Sequence, residues 1–264
     1  MQFKLLALDM DGTLLNSKKQ ISQRNLSAIK QAEFLGVKVV ISTGRPIQGV
    51  YKYMGVLEPK APIITYHGAI IIDPVECSVL YQRDLRSEDA LSIMKWGKSL
   101  GASQCIWSNG TLYTLDDSYY IRQYAGRMEV DFIIQEDINT LVNQGITKIL
   151  WNGEPEQTTV NMKKAKGLIK GEVAITTSNP QYIEFIDRQV SKGNALAFLG
   201  EYYGIKQSEM IAIGDEMNDE SMLRYAGLGV AMENASNTVK SFADVATLSN
   251  NDDGVAHVIE KFIL

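Results

Sequence analysis

Asp9 and Asp11 stand one residue apart in Asp9-Met10-Asp11-Gly12-Thr13, directly after the apolar run Phe3-Lys4-Leu5-Leu6-Ala7-Leu8. Such a run reads as a buried parallel strand. If strand geometry persists into the motif, both carboxylates fall on one side, because residues i and i+2 do. Two acids at the mouth of a buried strand repel each other and resist low dielectric, and a divalent cation relieves both problems. Gly12 lets the backbone turn, and Thr13 can orient a neighbouring acid by a hydrogen bond. Asp-Gly is equally a common turn pair, so this motif alone does not separate a turn from an active site.

Two further polar clusters follow apolar runs in the same way. Ser42-Thr43-Gly44-Arg45-Pro46 comes after the run 37–41, and Gly214-Asp215-Glu216-Met217-Asn218-Asp219 after 209–213. In an open parallel sheet the strand C-terminal ends line one edge, and ligands bind in the crevice there. Clusters distant in sequence therefore converge in space, an inference stronger than any one motif. Ser191-Lys192-Gly193-Asn194 adds a fourth element, just ahead of a helix. Taken singly, each residue has a plainer reading. Lys192 reads as a solvated lysine, Thr43 and Asp219 as helix caps, Asp215 as a turn acid and Arg45 as a surface helix residue.

The elements that must hold these residues alternate. A helix over 22–35 starts at Ser22, carries Leu26, Ile29 and Leu35 on one face and stops at Gly36. A strand over 37–41 follows, and Pro46 suits the first turn of the next helix. Runs 61–66 and 69–73 read as strands around a tight turn at His67-Gly68. After about residue 83 the texture changes. Ser87 is expected to cap a helix to Leu100, and Asn109-Gly110 joins a hairpin of 104–108 with 111–115. A helix at 119–128, strands at 130–135 and 147–151, a helix at 160–169 and a hairpin of 173–178 with 182–186 complete this part. The parallel pattern then returns: a helix at 194–203, a strand at 209–213, a helix at 221–226, a strand at 228–232 and helices at 236–243 and 255–262. The expected fold is α/β, a parallel-sheet core over 1–83 and 187–264 interrupted by an α+β domain at 84–186.

The chain has 264 residues, 45% of them hydrophobic and 22% charged, which favours two globular domains. A net charge of -5 leaves no basic excess to neutralise phosphates and argues against nucleic acid as partner. Two cysteines, Cys77 and Cys105, make neither a disulfide framework nor a metal spacing, which suits a reducing compartment. No run approaches the ~18–20 apolar residues of a membrane span, and no leader pattern opens the chain. The expectation is a cytoplasmic protein with no membrane partner.

Together these stretches resemble the haloacid dehalogenase-like superfamily, whose four motif regions match here in order. Asp9-Met10-Asp11-Gly12-Thr13 looks like the first, Thr43-Gly44 the second, Lys192 the third and Gly214-Asp215-x-x-Asn218-Asp219 the fourth. A domain inserted between the second and third motifs is similar to the Cof-type branch. So are Gly68-Ala69, Ser191-Lys192-Gly193 and Gly229-Val230-Ala231-Met232-Glu233-Asn234-Ala235. The resemblance spans nearly the whole chain and is closest to the sugar-phosphatase members (subfamily IIB).

The resemblance implies a Rossmann-like core with an inserted α+β cap of the C2B type, and a Mg²⁺-dependent phosphomonoesterase acting on small phosphorylated metabolites such as sugar phosphates. Asp9 would attack phosphorus to give an aspartyl-phosphate. Asp11 would protonate the leaving oxygen and then deprotonate the hydrolytic water. The metal would sit on Asp9, the Asp11 backbone carbonyl and Asp215. Met10, Thr43, Gly44, Lys192 and Asn218 would bind the phosphoryl oxygens, and Asp219 would orient the others. Arg45 and His67 are candidate substrate contacts. His67 stands where Cof-type relatives usually carry Asn, and it would add a pH response that Asn lacks. A phosphomutase or a non-catalytic phosphometabolite sensor are the alternative functions. The candidate substrates are sugar phosphates, nucleotides, flavin mononucleotide and pyridoxal phosphate.

Overall fold

The computed structural model describes residues 3–177 and 179–264. The chain divides into two compact units, residues 1–44, 53–81 and 191–264 in the first and residues 45–52 and 82–190 in the second.

The first unit starts with β1 (Leu5–Leu8), α1 (Gln23–Phe34) and β2 (Lys38–Ile41), and takes in α2 (Gln48–Leu57) from residue 53 onward. Ser22 Oγ caps α1 by accepting the Asn25 N–H. Pro46 lies two residues ahead of α2 rather than inside its first turn, because residues 44–46 stay irregular. A small antiparallel sheet comes next: β3 (Ile63–Thr65), β4 (Ile70–Asp73) and β5 (Ser78–Gln82), in that order. The hydrophobic pattern does not show β5. This strand alternates between half-buried and exposed positions and carries no continuous apolar run.

In the second unit come α3 (Ser87–Ser99), β6 (Ser103–Ser108), β7 (Thr111–Thr114), α4 (Tyr119–Met128), β8 (Phe132–Ile134), α5 (Ile138–Asn143), β9 (Lys148–Asn152), α6 (Pro155–Leu168), β10 (Val173–Thr176) and β11 (Tyr182–Asp187). Arg86, not Ser87, occupies the cap of α3. Helix α6 starts at Pro155, five residues ahead of the expected start, because its first turn is polar and shows no apolar period. The strands form one sheet in the order β10-β11-β9-β6-β7-β8, antiparallel except for β7 beside β8. α3, α5 and α6 cover one face around Ile93, Leu141, Ile149, Trp151 and Phe185. Segment 45–52 belongs here because Gln48 Nε2 donates to Gly110 O (2.5 Å) and Lys52 pairs with Glu129 (2.6 Å). Ser178, expected at the end of a strand, lies outside the described residues.

The first unit resumes with α7 (Lys192–Tyr203), β12 (Met210–Gly214), α8 (Glu220–Tyr225), β13 (Leu228–Ala231), α9 (Asn237–Lys240), β14 (Val245–Ala246) and α10 (Gly254–Phe262). Its main sheet runs β14-β13-β12-β1-β2, all parallel. Strand β1 lies between β12 and β2. The chain leaves it toward β2 on one side and returns to β12 on the other, so the sheet's topological switch lies at the end of β1. Leu5, Ala7, Met210 and Ala212 pack under Leu196, Leu199 and Met222 of α7 and α8. All four residues of β1 are fully buried, which fixes the position of Asp9 at its end.

Candidate active site

The Asp9 N–H still bonds Ile213 O (3.0 Å), which keeps Asp9 in the frame of the sheet. Beyond it the chain turns, with the Leu15 N–H closing on Met10 O (2.8 Å). The turn parts the two acids. Asp9 is buried and accepts from Lys192 Nζ at 2.6 Å, whereas half-buried Asp11 accepts from Lys19 Nζ at 2.8 Å. Strand geometry ends at Leu8, so the i, i+2 relation does not carry through the motif.

Lys192 is completely buried, against the reading of a solvated lysine. It is the first residue of α7 rather than a residue ahead of it, and Ser191 Oγ caps the helix. Its ammonium also donates to Asp219 Oδ1 (2.6 Å). The second oxygen of Asp219 accepts the N–H groups of Asp215 (2.9 Å) and Glu216 (3.0 Å). Both Asp219 oxygens are therefore spent on holding the lysine and the loop. Asp215 is held by Thr13 Oγ1 (2.8 Å) on one oxygen and by Asn234 Nδ2 (3.3 Å) on the other. The acid that Thr13 orients lies 202 residues away, not beside it. Gly12 has φ +85, and a Cβ there would fall 2.1 Å from Asp215 Oδ2, so only glycine admits both the turn and the carboxylate.

Asp9, Asp215 and Asp219 bring ligand oxygens within 4.8 Å of one another. Burial raises the Asp9 carboxyl well above its ordinary value, with Lys192 opposing and Asp219 and Asp215 adding to the shift. Burial likewise pushes Asp215 up to about 7, the Thr13 hydrogen bond opposing it. For Lys192, burial pulls the ammonium down, but Asp219 and Asp9 outweigh it and hold the group protonated. Three carboxylates thus share one ammonium. Oxygen donors with unrelieved negative charge suit a small hard divalent cation. Asp9 and Asp215 are the carboxylates with more capacity for it, because Asp215 accepts one bond per oxygen from neutral side chains, whereas Asp219 holds the ammonium on one oxygen and two backbone N–H groups on the other.

The second cluster meets the fourth through a residue between them. Buried Thr43 accepts the His67 N–H at its backbone oxygen (3.0 Å). Gly44 lies against the imidazole, so that a Cβ would sit 2.2 Å from His67 Cε1. Asn218 Nδ2 stands 3.2 Å from His67 Nδ1. His67 itself is buried, with φ 61, in a short 3-10 turn over Tyr66–Gly68. Met10 is fully buried, and its backbone oxygen accepts the Leu15 N–H. Arg45 is not among the residues that meet in the first unit. It groups with the second, where its guanidinium donates to Gly49 O (2.9 Å).

Three contributors were not assigned from sequence: Lys19 on Asp11, Asn234 on Asp215, and the true partner of Thr13. Asn234 carried a usable signal, since it comes after β13 just as the other clusters come after their strands. Lys19 carried none.

The site is thus the end of β1 in a parallel α/β sheet, where a buried carboxylate meets a lysine and two further acids. The chain belongs to the haloacid dehalogenase-like hydrolase family, whose profile matches residues 6–259. It is 33% identical to a 5-amino-6-(5-phospho-D-ribitylamino)uracil phosphatase of Bacillus subtilis, over 99% of this chain and 96% of that one. It is 31% identical to phosphatase YwpJ of the same organism, over 98% of this chain and all of the other. Among solved structures, a haloacid dehalogenase-like hydrolase from Bacteroides thetaiotaomicron aligns with a TM-score of 0.88 at 31% identity, covering 98% of this chain and 99% of that chain.

Proposed function

We propose that this hydrolase is a phosphomonoesterase for small phosphorylated metabolites, with sugar and polyol phosphates as the favoured class and Mg²⁺ as cofactor. The observation that carries the reading is the grip of Lys192 on one oxygen of Asp9, with Asp215 within ligand distance. Lys192 fixes Oδ1 of Asp9, which leaves Oδ2 to attack phosphorus as the ester oxygen departs. Asp11 gives its proton to that oxygen, then takes one from the water that cleaves the aspartyl-phosphate and releases inorganic phosphate. Lys19 beside Asp11 restrains the acid's side chain between the two half-reactions. Thr43, the Gly44 N–H, the Met10 backbone, Lys192 and Asn218 are the groups available to phosphoryl oxygens. Asp219 acts through Lys192 and the loop backbone.

Asp9, Asp215 and the Asp11 backbone carbonyl would hold the cation. When bound, Mg²⁺ supplies the positive charge that ionises the raised carboxyls and offsets the phosphoryl charge. Support for the substrate class comes from the ribityl phosphate named for one relative. We take the segment 84–186 as the cap that selects among substrates. Two unpaired cysteines suit a cytoplasmic setting, and no helix among the described residues is long and apolar enough to cross a membrane.

The test is phosphate release from a panel of phosphorylated metabolites with Mg²⁺. Turnover concentrated on sugar or polyol phosphates supports the reading. Turnover that depends on a bisphosphorylated activator would make the protein a mutase, and no turnover on any ester, p-nitrophenyl phosphate included, would remove the enzyme reading of this site.

A further inference from the structure

Asn218 has one amide edge on His67 and the other on nothing. Its Nδ2 lies 3.2 Å from His67 Nδ1, while its Oδ1 is buried without a hydrogen-bond partner. A buried acceptor left unpaired is costly, and an amide turned end for end fills the same volume. In the turned arrangement Oδ1 meets Nδ1, and the contact is satisfied only if Nδ1 carries a proton. The NH₂ group is then released. A phosphoryl group offers acceptors at its anionic oxygens, so Asn218 serves it only through that NH₂.

We infer that His67 is a positioning residue: it donates its Nδ1–H to Asn218 Oδ1 and thereby presents the Asn218 NH₂ to the phosphoryl group. The inference rests on the phosphatase reading above. Three features of the fold hold His67 to this task. Its ring abuts Gly44, in the space a Cβ would need. Its N–H is tied to Thr43 O (3.0 Å). Its backbone keeps φ 61 between Tyr66 at φ 50 and Gly68 at φ 109, three successive left-handed residues. Non-glycine residues persist in that conformation where surrounding structure over-determines them, and such residues cluster at functional sites. His67 therefore links the loop after β2 to the loop after β12, two strands away across β1.

The chain has two histidines, His67 and His257, so long-range ¹H–¹⁵N spectra of the labelled protein resolve the tautomer once a His257→Gln sample assigns the pair. With Mg²⁺ and inorganic phosphate or orthovanadate present, we expect a proton on His67 Nδ1, in either the neutral ring or the imidazolium. A ring protonated at Nε2 alone overturns the inference. This readout needs no turnover, so a wild type that hydrolyses nothing refutes the phosphatase reading separately.

Kinetics on p-nitrophenyl phosphate supply the second arm. His67→Ala should lower kcat/KM about tenfold in the wild type and less than twofold in an Asn218→Ala background. Equal losses in both backgrounds would make His67 merely structural. His67→Asn should recover most of the activity, because Asn tolerates positive φ and places an N–H near the position of Nδ1–H. Recovery equal to that of His67→Ala would again overturn the inference.

Discussion

Each unit buries one lysine among its acids, and the two do it differently. In the first unit Lys192 donates to Asp9 and Asp219 at 2.6 Å each, with Asp215 close by. In the second, Lys148 and Glu184 join at 3.2 Å from strands β9 and β11, both almost fully buried. The first arrangement is charge-unbalanced and sits at strand ends, where a ligand has access. The second lies within the sheet, on its ladder, and pairs cation with anion. A buried pair of that kind contributes specificity of packing more than net stability, while loss of one partner is severe. The first cluster thus gathers several carboxylates around one ammonium, whereas the second sets one ammonium beside one carboxylate.

The largest effect that would break the comparison concerns Asp9. Asp9→Asn keeps the shape and removes the attacking oxygen, so kcat/KM should fall by at least about a thousandfold with the fold retained. A loss within tenfold, measured on any ester the wild type hydrolyses, would take the nucleophile's role away from Asp9. Chelation comes next. Dialysis against EDTA should stop turnover and Mg²⁺ should restore it, with Ca²⁺ a poor substitute because of its looser, higher coordination. Full activity in the chelated protein would mean that the unbalanced cluster needs no cation.

In the second unit, Lys148→Met should cost about 3–5 kcal/mol of stability by removing the buried cation beside Glu184. Lys148→Met with Glu184→Leu should recover most of it. Denaturant titration reads both, and a single variant as stable as wild type would show that the pair is not the tight unit it resembles.

The smallest effect sharpens the contrast through pH. Folding raises Asp215 from 3.8 to about 7, so between those values the folded chain holds a proton that the unfolded chain has released. Raising the pH then favours unfolding, and without divalent cation Tm should fall across that window. Asp215→Asn should flatten the slope, and Mg²⁺ should raise Tm more at the alkaline end than at the acidic end. A Tm that climbs through the window would contradict the raised carboxyl.

Legibility in the sequence depends on range. Asp9, Thr43, Asp215 and Asn218 announce themselves because each comes just after an apolar run, and parallel strands align their ends. Lys192 was placed by order along the chain, although its burial was not; a lone lysine carries no local mark of the two acids that enclose it. Lys19 stayed hidden because a turn folds it back eight residues onto Asp11. Strand β5 and the first turn of α6 were missed for one reason. Partly exposed elements show little hydrophobic period, and β5 is set by pairing within its small sheet rather than by its own composition.

Thr13 grips Asp215 across 202 positions, and Lys192 reaches Asp9 across 183. During synthesis, then, Asp9 and Thr13 emerge long before the lysine and the acid that they meet. Strand β1 waits with one edge unpaired until residues 210–214 have left the ribosome and docked beside it. The nascent chain must carry a bare apolar strand through most of its translation, a long exposure for a segment so buried in the finished protein. A truncated product ending before β12 should be inactive and also sticky, a substrate for chaperones and proteases. The completed site is in that sense proof that the chain has been made at least as far as Asn234.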